Sequence, residues 1–277
     1  MIIALSPSFA NFPNRLSPSA GVTSSEMLCF FIFWLIQFPF CLIHPKDLRL
    51  LFLAKALLVP ATALGMMIWC IVTAGDGASG ALLQSSQLSG LQGYFAFFTA
   101  VTSAMGTWST MSLNIGDFSR YSKRESSALL QMAFVPLLFT ATAVFGAVSA
   151  SCTAVIYPGE ILWQPFEIIS KWQGNPGGRV AAFVCAGVWA FGNIGTNITA
   201  NSISSATDLS SLFPRYINIF RGQLVAYVLP LVLLAGSDFL CCRMIFGVWC
   251  FAPWKVLSSA TSYVLRAFLP RRKSDFP

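Results

Sequence analysis

The sequence predicts an all-α fold, a polytopic bundle of membrane-spanning helices, and three observations carry that expectation. Hydrophobic residues fill 56% of the 277 positions and charged residues only 10%, for a mean hydropathy of +0.69. A soluble domain carries about 25% charged residues and could not keep its surface hydrated with so few. Secondly, the apolar residues gather into long runs, each near or beyond the roughly 20 residues that a helix needs to cross about 30 Å of hydrocarbon. Thirdly, the bases sit in short clusters between those runs. The formal net charge of +7 is therefore a topology signal, and no nucleic-acid partner is expected.

Residues 1–26 read as an extracellular-side lead-in. Pro7, Pro13 and Pro18 interrupt it, and no basic stretch precedes a continuous apolar core, so it does not have the form of a signal peptide. A transmembrane bundle is expected over 27–222, with spans at about 27–43, 51–73, 92–116, 128–155 and 177–205. The first is short but holds an unbroken apolar run from Cys29 to Phe40, and Pro39 is expected to kink it. Between 223 and 264 the pattern blurs. Leu224–Ala235 is apolar but short, Asp238 and Arg243 interrupt it, and Ile245–Ala252 resumes, so one or two further segments fit. A basic tail with Arg271, Arg272 and Lys273 closes residues 265–277.

Loop charges orient the spans, because Lys and Arg favour the cytoplasmic side. The basic residues within 46–55, 120–124 and 215–221 fall on one side, whereas 74–91 holds no Lys or Arg and 156–176 holds Glu160 and Glu167 against Lys171. Span one is thus expected to run from outside to inside.

Two spans carry polar groups at membrane depth, where no water satisfies them and where they mark solute or ion pathways or packed helix interfaces. In the third span, Gly106, Ser109, Thr110, Ser112 and Gly116 make a small-residue stripe. It fits either close helix packing or an unwound segment facing a cavity. Trp108 lies below the interfacial belt, as a core residue or a stacking platform. The fifth span holds Gly192-Asn-Ile-Gly-Thr-Asn-Ile-Thr-Ala-Asn201, in which Asn193, Asn197 and Asn201 share a face by helical spacing, flanked by Thr196 and Thr199. Three amides buried without partners would cost several kcal/mol, so neighbouring helices satisfy them or they face a solute. Asp117 and Asp208 end these spans. They are either solvated or, in the case of Asp208, part of a gating ion pair with Lys46, Arg120 or Lys123.

Eight cysteines include no Cys-x-x-Cys pair, and no disulfide framework or zinc site is expected. Gly-x-Ser-x-Gly, Walker and His-Glu-x-x-His sequences are missing, so the chain does not read as an enzyme.

Gly106-Thr-Trp108, Leu113-Asn-Ile-Gly-Asp-Phe-Ser-Arg-Tyr-Ser-Lys123, Gly195-Thr-Asn-Ile-Thr-Ala-Asn201 and Leu212-Phe-Pro-Arg-Tyr-Ile-Asn-Ile-Phe-Arg-Gly222 resemble the nucleobase:cation symporters of the uracil, uridine and allantoin permease group. Phe33-Trp-Leu-Ile-Gln-Phe-Pro39 with Ile43-His-Pro-Lys46 is similar to the segment holding that group's fourth helix. The resemblance covers about residues 7–223 and returns at Cys250–Ala260. It implies a five-plus-five inverted-repeat (LeuT-type) transporter fold of about twelve helices, with the five spans as helices four to eight. It also implies that Gly106 and Thr107 give the unwound backbone of the substrate site, that Trp108 stacks on a planar base, and that Asn201 bonds its polar edge. A flat heterocycle suits one π face and an amide. Gly192, Gly195 and Thr196 match a segment that holds sodium in sodium-coupled relatives. Glycine at 195 replaces a hydroxyl residue there, which favours a proton over sodium as coupling ion; no cofactor and no other metal is expected.

Three departures stand against the family pattern: Gly116 replaces a proline, about 224–243 look inserted, and the resemblance stops after Val264. The expectation is a fragment covering about helices four to nine of a nucleobase, nucleoside or hydantoin-class permease in the plasma membrane. Its partners would be the small-molecule solute, the lipid bilayer and full-length relatives. The alternative is a truncated, non-transporting membrane protein that modulates those relatives.

Overall fold

A computed structural model describes residues 1–15, 23–43, 47–77, 90–113, 116, 126–158, 160, 162 and 164–236. All regular structure among them is helical. The α-helices are α1 (Ile2–Leu5), α2 (Ser24–Cys41), α3 (Arg49–Ala74), α4 (Gly90–Leu113), α5 (Ser126–Ile156), α6 (Pro165–Lys171), α7 (Pro176–Asn197), α8 (Ser204–Leu212) and α9 (Ile219–Gly236). A π-helical stretch, Ile198–Ile203, joins α7 to α8 without a break.

Local chemistry sets the boundaries. Thr23 and Glu26 make a reciprocal capping box at the start of α2: Thr23 Oγ1 accepts from the Glu26 amide, and Glu26 Oε2 accepts from the Thr23 amide at 2.8 Å. Pro39 stands in the last turn of α2, which stops at Cys41. Gly75 follows α3 with φ +55°, the left-handed turn that a glycine adopts without Cβ strain. Pro176 opens α7 behind Asn175, where a missing N–H costs nothing.

Among the described residues, four helical stretches are long and apolar enough to cross a bilayer: Ser24–Cys41, Arg49–Ala74, Met132–Ile156 and Pro176–Leu212. The partition of side chains is inverted relative to a water-soluble fold. Leu50, Leu53, Leu57, Ile68, Val72, Phe134 and Leu137 are exposed, whereas Gln37, Thr153, Asn197, Ser202 and Gln223 are buried. Hydrocarbon solvates the former without penalty and leaves the latter only protein to bond with. The chain is an integral membrane protein.

The chain divides into two compact units. One draws on Met1–Val59 and, among the described residues that follow, on 172–236; α2, the first part of α3, α7, the π-helix, α8 and α9 pack within it. Its apolar core is Leu48, Ile194, Ile198 and Ile203, with Phe33, Phe40, Leu51 and Phe52 against them. The other unit includes Pro60–Ser112 and Arg124–Lys171. Within it Cys70 and Cys152 are buried, Thr153 Oγ1 donates to the Ala150 and Leu162 carbonyls, and Lys171 pairs with Glu160 at 2.6 Å.

Candidate functional site

The polar run from Gly192 to Ser205 begins as α-helix and changes pitch at Ile198. The local sequence loosens the helix there. Gly192 and Gly195 lower its propensity, and three hydroxyl bonds engage backbone carbonyls: Thr196 Oγ1 donates to Gly192 O at 2.9 Å, and Thr199 Oγ1 to Gly195 O and Thr196 O at 3.0 and 2.9 Å. Insertions of π-helix are rare and gather at functional sites.

Across this transition runs a chain of buried amides. Asn201 Nδ2 donates to Asn197 Oδ1, Asn197 Nδ2 donates to Gln37 Oε1 of α2 at 2.9 Å, and Gln37 Nε2 points its N–H at Cys41 Sγ, 3.9 Å away. Gln37 and Asn197 are buried; Asn201, at the outer end, is half-buried. Of the two N–H groups on Asn201, one is committed to Asn197, leaving the second and Oδ1 to bond elsewhere. Asn193, expected on the same face, is half-buried and takes no part in this chain. Asn197 instead finds its partners in Gln37 of α2 and in Asn201 one turn further on.

A cation stands beside the residues expected to hold one. Lys55 of α3 donates through Nζ to Thr196 Oγ1 at 2.7 Å, and Thr196 passes its own hydrogen to Gly192 O. Gly192 and Gly195 let α3 approach this closely: a Cβ on Gly192 would lie 2.7 Å from Val59 Cγ2, and one on Gly195 would lie 2.8 Å from Lys55 Cδ and 3.2 Å from Leu51 Cδ2. Lys55, counted from sequence among the loop bases, belongs to the helix.

The other expected site residues divide by what is described. The backbone of Gly106, Thr107 and Trp108 is continuous helix within α4, which corrects the expectation of an unwound segment there; their side chains lie outside the described residues. Small residues alone do not break a helix whose backbone bonds stay satisfied internally. Asp208 is exposed on α8, and its expected partners Lys46, Arg120 and Lys123 lie outside the described residues.

Sequence reasoning missed the roles of Gln37 and Lys55. Each is a lone polar residue within an apolar run, Trp34-Leu-Ile-Gln37-Phe and Phe52-Leu-Ala-Lys55-Ala-Leu, and a polar group at membrane depth is by default a functional candidate.

A family profile described as permease for cytosine/purines, uracil, thiamine, allantoin matches residues 1–269. The chain is 32% identical over 269 residues to an uncharacterized permease of Schizosaccharomyces pombe, with 97% of this chain and 44% of that permease covered. It is 35% identical over 251 residues to the uracil permease of Saccharomyces cerevisiae, covering 89% and 37% of the two chains. The allantoin permease of the same yeast is 29% identical over 255 residues, covering 91% and 37%. The chain thus spans less than half the length of these relatives. No solved structure matches it.

Proposed function

The chain belongs to the family of permeases for cytosine/purines, uracil, thiamine and allantoin, and from that premise we propose that it forms the solute-reading part of a nucleobase-class symporter. The solute is a uracil-, uridine- or allantoin-like heterocycle, and the membrane is the plasma membrane. The bundle is part of a LeuT-type inverted repeat, in which alternating access moves the solute past a fixed site. The observation that carries this reading is the amide of Asn201. It is half-buried at membrane depth, oriented by Asn197, and keeps one donor and one acceptor for the adjacent N–H and C=O groups of a heterocycle. Trp108, carried on the helix that also holds Gly106 and Thr107, supplies the π face by resemblance to the family.

The coupling ion on this reading is the proton. Thr196 Oγ1, expected among the sodium ligands, already accepts from the Lys55 ammonium at 2.7 Å. A second cation at that oxygen would face like-charge repulsion in a medium of low dielectric. Asp208 with Lys46, Arg120 or Lys123 remains the proposed cytoplasmic gate.

The test is uptake of radiolabelled uracil, uridine and allantoin by permease-deficient yeast expressing the complete product of the gene. Saturable uptake of at least one is expected, unchanged when choline replaces sodium and abolished by a protonophore. Lys55→Met should remove accumulation against a gradient. Uptake of none of the three refutes the assignment, and sodium dependence refutes the coupling.

A further inference from the structure

The chain of amides has a direction, and direction is what a reader of hydrogen-bond edges requires. A planar amide can swap its oxygen and its NH₂ by a half turn about its last torsion, and nothing in Asn201 alone selects one orientation. Selection comes from its neighbours. Gln37 presents Oε1 to Asn197, so Asn197 meets it with Nδ2 and turns Oδ1 towards Asn201, which must then donate. Reversing Asn201 alone would set two carbonyl oxygens against each other. Reversal of the whole chain would require Gln37 to turn as well and to give up the contact of its Nε2 with Cys41 Sγ.

We propose that Gln37, acting through Asn197, is a positioning residue that fixes which edge Asn201 offers to the solute and so sets selectivity between hydrogen-bond patterns on the ring. The inference rests on the reading of Asn201 as the solute's partner. Gln37 itself touches no solute. It is carried on α2, and the bond from Asn197 on α7 ties the two helices together at the level of the π-helix.

The fixed polarity presents Oδ1 as an acceptor for a ring N–H. A solute whose N–H is replaced by N-methyl leaves that oxygen unpaired, and a site built for the bond rejects the analogue. Without Gln37, Asn197 could turn its Nδ2 to Asn201 Oδ1 and so satisfy the oxygen that the methyl group leaves unpaired, and discrimination would fall.

The experiment measures inhibition of radiolabelled uracil uptake by uracil, 1-methyluracil and 3-methyluracil in cells expressing the complete gene product. The readout is the ratio of inhibition constants between each methylated analogue and uracil. That ratio does not depend on how much protein reaches the surface, so a purely structural loss leaves it unmoved. The wild type should reject at least one analogue by roughly tenfold or more. Gln37→Met, which keeps the volume and removes both hydrogen-bonding ends, should reduce that rejection to about threefold or less; Gln37→Glu, which keeps an acceptor for Asn197 Nδ2, should restore it. Should Gln37→Met fail to reach the surface, Gln37→Asn keeps a buried amide one methylene short of Asn197 and should lower the ratio in the same way. An unchanged ratio in Gln37→Met or Gln37→Asn, with Asn201→Ala still losing both affinity and selectivity, overturns this inference and leaves the Asn201 reading intact. If Asn201→Ala changes neither, that reading falls and takes the inference with it.

Discussion

Replacing Asn201 by Ala removes a donor and an acceptor at once and leaves the solute's polar edge unpaired, at a cost of about 1–3 kcal/mol, or roughly tenfold to hundredfold in apparent affinity. Trp108→Phe should be milder than Trp108→Ala, since a smaller ring keeps a π face and part of the contact area. Asn193→Ala should leave affinity near that of the wild type, because Asn193 stands outside the chain that joins Asn201, Asn197 and Gln37. Competition of radiolabelled uptake, normalised to surface protein, checks all three. Equal losses at Asn193 and Asn201 would place the site on the wrong part of the helix. Gly195→Ala tests the lysine contact at the same scale. A methyl group 2.8 Å from Lys55 Cδ forces that side chain to shift, and the move should weaken its 2.7 Å bond to Thr196. Proton-coupled accumulation should then fall more than equilibrium binding does; equal falls would mean that the glycine serves packing alone.

At the level of elements, α2 and α9 are held by a reciprocal clasp. Trp34 and Tyr227 stack with ring centroids 4.4 Å apart and planes 15° from parallel, Trp34 Nε1 donates to the Tyr227 carbonyl at 3.2 Å, and Tyr227 OH donates to the Trp34 carbonyl. Tyr227→Phe keeps the stack and loses one bond, so about 1 kcal/mol of stability should go, whereas Tyr227→Ala opens a cavity worth about 3–5 kcal/mol. Thermal unfolding in detergent, followed by size-exclusion recovery, should show the second variant melting well below the first. Similar midpoints would mean that the hydroxyl bond, not the ring contact, holds the clasp. The π-helix at Ile198–Ile203 is the element that reading along the chain could not place. Spacing of four put Asn193, Asn197 and Asn201 on one face, a valid inference for uniform α pitch only. At the change of pitch Ile198 and Ile203 are both buried in the apolar core, and the Thr196 and Thr199 hydroxyls donate to backbone carbonyls.

Across the whole molecule, charge placement predicts topology. A cysteine introduced at Gly174 should react with a membrane-impermeant thiol reagent applied to intact cells, and one introduced at Arg215 should react only after permeabilisation. The reverse pattern would invert the orientation of every span. The sequence by itself determined the solvent and, through it, the class of fold. Charged residues make up 10% of 277, and of the two structures that satisfy their own backbone in hydrocarbon, helices and closed barrels, apolar runs of about 20 residues fit the helix. Its motifs also determined the family, because they quote short contiguous strings that no folding is needed to read. What tertiary structure alone decided is which polar groups meet. Gln37 and Asn197 lie 160 positions apart and Lys55 and Thr196 lie 141 apart. Along the chain Asn197 and Thr196 read as polar groups that need partners in the membrane, whereas Gln37 reads as part of an apolar run and Lys55 as a loop base. Packing of α2 and α3 against α7 turns these residues into an oriented amide chain and a seated lysine, since a buried polar group is stable only where the fold brings it a partner.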